Sequence, residues 1–156
     1  MDWKVMRFAI SFMNLPLVKP YDDYSTMAAK GLIVLGDSSE EFLANLGDWS
    51  QEDYQSQWRD SIHSLVDGGN KAVLITTYSS PVIASHLEWW ALYREGEDIF
   101  VQNQLLFFEG IEDRFRPSQA VQFLKERETE NEEGVSISEW KISMGDLRDF
   151  ATQLAI

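Results

Sequence analysis

The sequence predicts an α+β fold, a single domain in which a meander-rich antiparallel β-sheet is packed by one long helix and two shorter ones. Three observations carry that expectation. Residues 86–108, HLEWWALYREGEDIFVQNQLLFF, form two apolar arms around Glu95-Gly96-Glu97-Asp98. Aromatic and β-branched residues suit strands, and Gly96 supplies the backbone freedom that a tight hairpin loop demands. Tyr54, Trp58, Ile62 and Leu65 recur at helical spacing, one stripe for packing on a sheet. Short apolar runs bounded by turn residues supply the remaining strands.

Taken in order, residues 3–13 alternate loosely and predict a first strand. They do not read as a secretion signal: the apolar patch over 8–13 is short, Asp2 replaces the expected basic start, and Asn14 interrupts early. Residues 14–30, with Pro16, Pro20 and Asp22-Asp23, read as a loop. GLIVLGD, 31–37, predicts a compact strand, and Ser38-Ser39 lead into a return strand over 40–46 with Phe42, Ala44 and Leu46 on one face. Ser50 and Asp53 have the spacing of a capping box for the long helix, which Gly68-Gly69 end.

AVLITTY, 72–78, is a further strand, broken by Ser79-Ser80-Pro81 and paired with the hairpin in a meander. The second hairpin arm carries Ile99, Val101, Asn103, Leu105 and Phe107 on one face, and Phe100, Gln102, Gln104, Leu106 and Phe108 on the other. Both faces are largely apolar, so cover on two sides is expected. Pro117 suits the first turn of a short helix running to about residue 127, with Val121 and Leu124 inward. ERETENEE, 126–133, belongs in solvent. VSISEWKI, 135–142, predicts a strand, and Ser143 with Asp146 caps a last helix carrying Leu147, Phe150, Ala151 and Leu154.

At 156 residues the chain is one domain over 1–156, long enough to bury about two-thirds of its unfolded surface. Thirteen basic residues against 26 acidic ones give a net charge of −13. Such a field repels phosphate backbones and anionic membranes and speeds encounter with basic partners; it also serves solubility. The lack of cysteine excludes disulfides and thiolate chemistry and fits a reducing compartment. No apolar run approaches the ~20 residues of a membrane span.

Reactive constellations are hard to find. His63 and His86 stand far apart, in no ligand spacing and without an obvious orienting carboxylate, so no metal site or activated nucleophile is expected. No nucleophile elbow or glycine-rich phosphate loop occurs. With 26 acids, some pair always lies at a glycosidase-like separation, which makes that signal empty. Glu139, inside an apolar strand, reads as an ion pair with Arg127 or Lys141 ahead of a catalytic acid. Trp89 and Trp90 could stack single-stranded nucleic acid, but the chain has few cations to build the groove, so they read as core.

The expectation is therefore no catalytic residue, cofactor or metal, and no nucleic-acid or membrane partner. The densest exposed acidic run, Glu128, Glu130, Glu132 and Glu133, and the hairpin tip, Glu97 and Asp98, are the candidate contact patches for a basic partner. Asp37, Glu40 and Glu41 stand in reserve.

Several fragments in fixed order, GLIVLGD, LGDWSQEDYQSQW, AVLITTY, WWALYREG, IFVQNQLLF and the ISEW segment, carry a resemblance. Together they resemble the immunity proteins of bacterial contact-dependent growth inhibition systems, the branch with a C-terminal ISEW motif. The likeness spans about 31–150 and includes Trp49, Tyr54, Trp58, Trp90, Tyr93, Gln102, Asn103, Arg127, Gly134 and Trp140. One departure is Ser85-His86, where the pattern has an Asn-Phe pair. The resemblance implies a non-enzymatic cytoplasmic protein that binds, one to one, the toxin domain encoded beside it. Similar proteins are paired with nucleases, some acting on ribosomal RNA, and a basic nuclease gives the −13 charge a purpose. The alternatives are an acidic binding module for another basic protein and, last, a two-carboxylate hydrolase.

Overall fold

Two antiparallel meanders share the strands. The computed structural model describes residues 6–19 and 26–154. Strands β1 (Phe8–Phe12), β2 (Ala28–Leu35) and β3 (Ser38–Asn45) form a sheet in that order. Helix α1 (Gln51–Val66) leads to the second sheet, β4 (Lys71–Thr77), β5 (His86–Glu95), β6 (Asp98–Phe107) and β7 (Trp140–Ser143), again in chain order. A 3₁₀ helix (Pro117–Phe123) precedes β7 and helix α2 (Met144–Leu154) follows it. The α+β class and the meander are as expected; the division into two sheets was not foreseen.

Two-residue loops make both tight hairpins. Gly36 and Gly96 take φ of 69° and 65° between β2–β3 and β5–β6, a region that costs other residues strain. Gly31 serves a different purpose: a Cβ there would lie 2.1 Å from the Phe42 ring. Its absence lets that ring cross β2 and meet Phe12 and Trp58 edge-on, with centroids 6.3 and 5.8 Å away.

Helix α1 starts as its sequence requires, with reciprocal bonds between Ser50 and Asp53. Its stripe of Tyr54, Trp58, Ile62 and Leu65 is buried. The same helix covers the edge of the second sheet. The Gln57 amide donates to the Val73 carbonyl and accepts from the Ile75 N–H, both at 2.9 Å, and the Trp58 indole donates to the Ile75 carbonyl at 2.7 Å. A side-chain amide thus takes the place of a neighbouring strand on β4, satisfying groups that would otherwise be open. Helix α2 begins on reciprocal bonds between Ser143 and Asp146 and buries Leu147, Phe150 and Ala151, with Phe150 edge-on to Phe8 at 5.4 Å.

Several boundaries move. Strand β1 occupies only 8–12 of the expected 3–13, and residues 3–5 lie outside the described residues, as do 20–25 of the expected loop. Strand β2 starts at Ala28 because two small buried residues extend the pairing, and it ends at Leu35 because Gly36-Asp37 is the turn. The helix expected to reach about 127 is 3₁₀ and stops at Phe123. The segment is broken at Gln119, whose φ of −123° is not helical, and Val121 faces solvent while Leu124, beyond the helix, is buried. The strand expected over 135–142 is only Trp140–Ser143, because the backbone before it pairs locally with 129–131 instead of with β6. Strand β7 therefore pairs with β6 only from Asp98 to Val101, and beyond this point the cover expected on both faces of that arm is present on one face alone. Asn103, Leu105 and Phe107 are exposed. No helix among the described residues is long and apolar enough to cross a membrane.

Candidate partner-binding surface

The acidic run is held at its base by one arginine. Arg127 grips Glu139 with two bonds, Nε at 2.8 Å and Nη2 at 2.6 Å, and reaches Glu95 on the hairpin at 3.2 Å. Its guanidinium lies 3.7 Å from the centre of the Phe100 ring, a cation–π stack. Gln102 adds two donations from one amide, to the Glu139 carboxylate at 2.8 Å and to the Glu128 carbonyl at 2.9 Å. The Arg127 bonds, helped by Gln102 and opposed by partial burial, hold the Glu139 carboxyl below its ordinary value. Glu139 is thus ionised, paired and structural. Of its two candidate partners, Arg127 is the one it meets; Lys141 is exposed on β7.

Beyond this anchor the chain makes a short finger. Glu130 bridges Ser136, Ile137 donates to the Thr129 carbonyl, and Asn131 donates to the Val135 carbonyl. The Asn131 side chain also accepts from the N–H groups of Glu133 and Val135, and Gly134 takes φ of 78° to close the tip. Glu128, Glu130, Glu132 and Glu133 are all exposed on this finger, with no ion pair among the described residues. Gln102 marks where it leaves the sheet, just past the last β6 residue covered by β7.

The hairpin tip differs. Glu97 is shared by Arg94 at 3.7 Å and Arg148 at 3.5 Å, so its charge is partly offset, while Asp98 is exposed. Bonds from Arg127 to Glu95 and Glu139 tie the tip to the root of the finger, which brings the two predicted patches into one neighbourhood. Asp37, at the β2–β3 turn, pairs with Arg7 at 3.1 Å. Glu41 instead lines a groove between the sheets, and with it comes a residue that sequence reasoning missed.

That residue is Glu88. It lies on β5 between Thr77 and Leu105, its partners across the two neighbouring strands. The groove, about 920 Å³, runs past Lys30, Glu41, Leu43, Ile83, His86 and Glu88. Burial pushes the Glu88 carboxyl above its ordinary value, only partly countered by a long bond from Thr76 at 3.4 Å and by His86. The alternation Leu87-Glu88-Trp89 placed an acid on a strand face, but nothing local indicated that a groove stood over it.

The histidines remain apart. His63 is on α1; His86 meets the Ser85 hydroxyl at 2.9 Å and packs on Phe107 at 5.3 Å between ring centres. Among the described residues no cluster of His, Asp and Glu could hold a metal. Trp89 and Trp90 are buried, the first bonded to Gln104 and the second against Trp140 at 5.3 Å.

Residues 44–150 match the CdiI N-terminal domain family. The immunity protein CdiI of Enterobacter cloacae subsp. cloacae is 30% identical over 118 residues, which cover 76% of this chain and 81% of that protein. A solved chain from a CdiA-CT/CdiI toxin and immunity complex from Enterobacter cloacae superposes with a TM-score of 0.85 at 26% identity, covering 95% of this chain and 98% of the other. The chain belongs to the CdiI N-terminal domain family, the immunity family that its ordered motifs resemble.

Proposed function

We propose that the chain is an immunity protein that binds and neutralises one cognate toxin domain, a basic nuclease, in a one-to-one complex in the cytoplasm. The observation that carries this is the match to an immunity protein in both sequence and fold over most of the chain. The net charge of −13 supports the nuclease half of the reading. An enzyme that cleaves nucleic acid must attract phosphate and so presents positive charge, and an acidic inhibitor is complementary to it.

The exposed finger acids Glu128, Glu130, Glu132 and Glu133 are the preferred contact patch. Among the described residues these carboxylates form no ion pair, which leaves them available to a basic surface. The tip acids Glu97 and Asp98 form the second patch, weakened where Arg94 and Arg148 already share Glu97.

Cleavage of RNA by the toxin domain encoded immediately upstream is the test. Added protein should abolish that cleavage at one molar equivalent. A toxin domain that cleaves at full rate in excess protein contradicts the proposal.

A further inference from the structure

We propose that the groove between the two sheets anchors the partner, seating a basic side chain of the toxin domain against the Glu88 carboxylate. This rests on the immunity reading above and adds where the complex is held.

Three features of the groove select that occupant. The first is spare acceptor capacity. A carboxylate has about four acceptor positions, and among the described residues Glu88 receives one long bond, from Thr76. A lysine or arginine delivered there would supply the short, charge-assisted bonds that the protein withholds.

The second is the balance of charge. Lys30 on β2 pairs across the sheet with Leu43, so Glu41, two residues from Leu43 on β3, is its diagonal neighbour on the same face. His86 shares the face of Glu88 on β5, and Thr76 and Thr77 of β4 and Leu105 of β6 add no charge. The groove therefore sets one lysine, Lys30, against two carboxylates, Glu41 and Glu88, and His86 offsets Glu88 only in part.

The third is the apolar rim. Ile83 is 72% exposed at the groove, and Leu105 and Phe107 are 49% and 59% exposed on the same sheet face as Glu88 and His86. Apolar side chains around a recessed charge exclude water from the pair once a partner docks, and the long stem of a lysine or arginine lies along such a rim. Exposed finger acids steer; a recessed acid beside exposed apolar side chains holds.

Calorimetric titration with the toxin domain encoded immediately upstream decides the matter. Glu88→Gln preserves shape and the Thr76 contact and removes a charge whose burial is unfavourable, so the variant should melt no earlier than wild type. Its Kd should rise tenfold or more, and its affinity should fall less than that of wild type on acidification. A Kd within twofold of wild type overturns the groove. Should Glu88→Gln not accumulate in folded form, Ile83→Ser on the exposed rim is read by the same criterion. A second copy of this chain in the groove, seen as a dimer that Ile83→Ser dissolves, also overturns it. Failure of the wild-type protein to bind the toxin domain would instead sink the immunity reading itself.

Discussion

Replacing Arg127 with alanine removes four contacts at once and tests whether one residue organises the acidic finger. The substitution deletes both bonds to Glu139, the bond to Glu95 and the stack on Phe100. The pair with Glu139 is largely but not fully buried, with 23% and 18% of the two side chains exposed. Breaking a fully buried pair costs about 3–5 kcal/mol and an exposed pair about 0–1 kcal/mol, so an intermediate loss of about 2 kcal/mol is expected. For a domain of this size that lowers Tm by about 4–8 °C.

The pH dependence has a definite sign. Glu139 titrates below its ordinary value in the folded protein, so its contribution to stability is complete above the ordinary carboxylate value. It is lost as pH falls through the lowered one. The gap between wild type and Arg127→Ala should therefore narrow on acidification. Urea denaturation of Arg127→Ala, Glu139→Gln and the double variant measures both the loss and the coupling. A loss below about 0.5 kcal/mol, or additive single effects, would refute the anchor. Hydrogen exchange should also rise across 128–138 in Arg127→Ala, while α1 stays protected.

Two other perturbations separate fold from binding. Gly31→Ala puts a methyl into the Phe42 ring and should cost about 1–3 kcal/mol by overpacking, read as a lower urea midpoint; an unchanged midpoint means the ring moves freely. Reversing Glu128, Glu130, Glu132 and Glu133 to lysine should leave stability nearly unchanged, because exposed acids contribute little, yet slow association with the toxin domain. Stopped-flow mixing should show that slowing at low salt and its disappearance near 1 M, where the Debye length is about 3 Å. Equal rates for both proteins at low salt would mean the finger takes no part in steering.

Elements whose signals are local were legible in the sequence. The capping boxes at Ser50 and Ser143, the stripe of α1 and the loop at Gly96 depend on residues a few positions apart, and each appears where expected. Misreadings arose where long-range partners decide the backbone. Val135 and Ile137 alternate as a strand should, but Asn131 and Gly134 fold that segment onto itself. Leu105 and Phe107 look like core because they are apolar, but whether a distant element packs over their face of the sheet is not written in a local pattern, and both are exposed. Val121 follows a 3.6-residue period, whereas the segment is 3₁₀ and broken at Gln119.

The ion pair of Glu139 was readable because a carboxylate in an apolar strand must find a cation. Arg127 was one of two candidates, and its additional hold on Glu95 and Phe100 was invisible. Glu88 was missed for the opposite reason. Its neighbours in sequence satisfy a strand pattern, and the groove that isolates it is built from β2, β3 and the loop after β4.

The most direct test of this account is to co-express the chain with the toxin domain encoded immediately upstream and weigh what is purified. A single complex of one copy of each is expected, surviving gel filtration at physiological salt, with cells that grow only when this chain is present. Separate elution of two folded proteins, or growth arrest despite abundant protein, would contradict it.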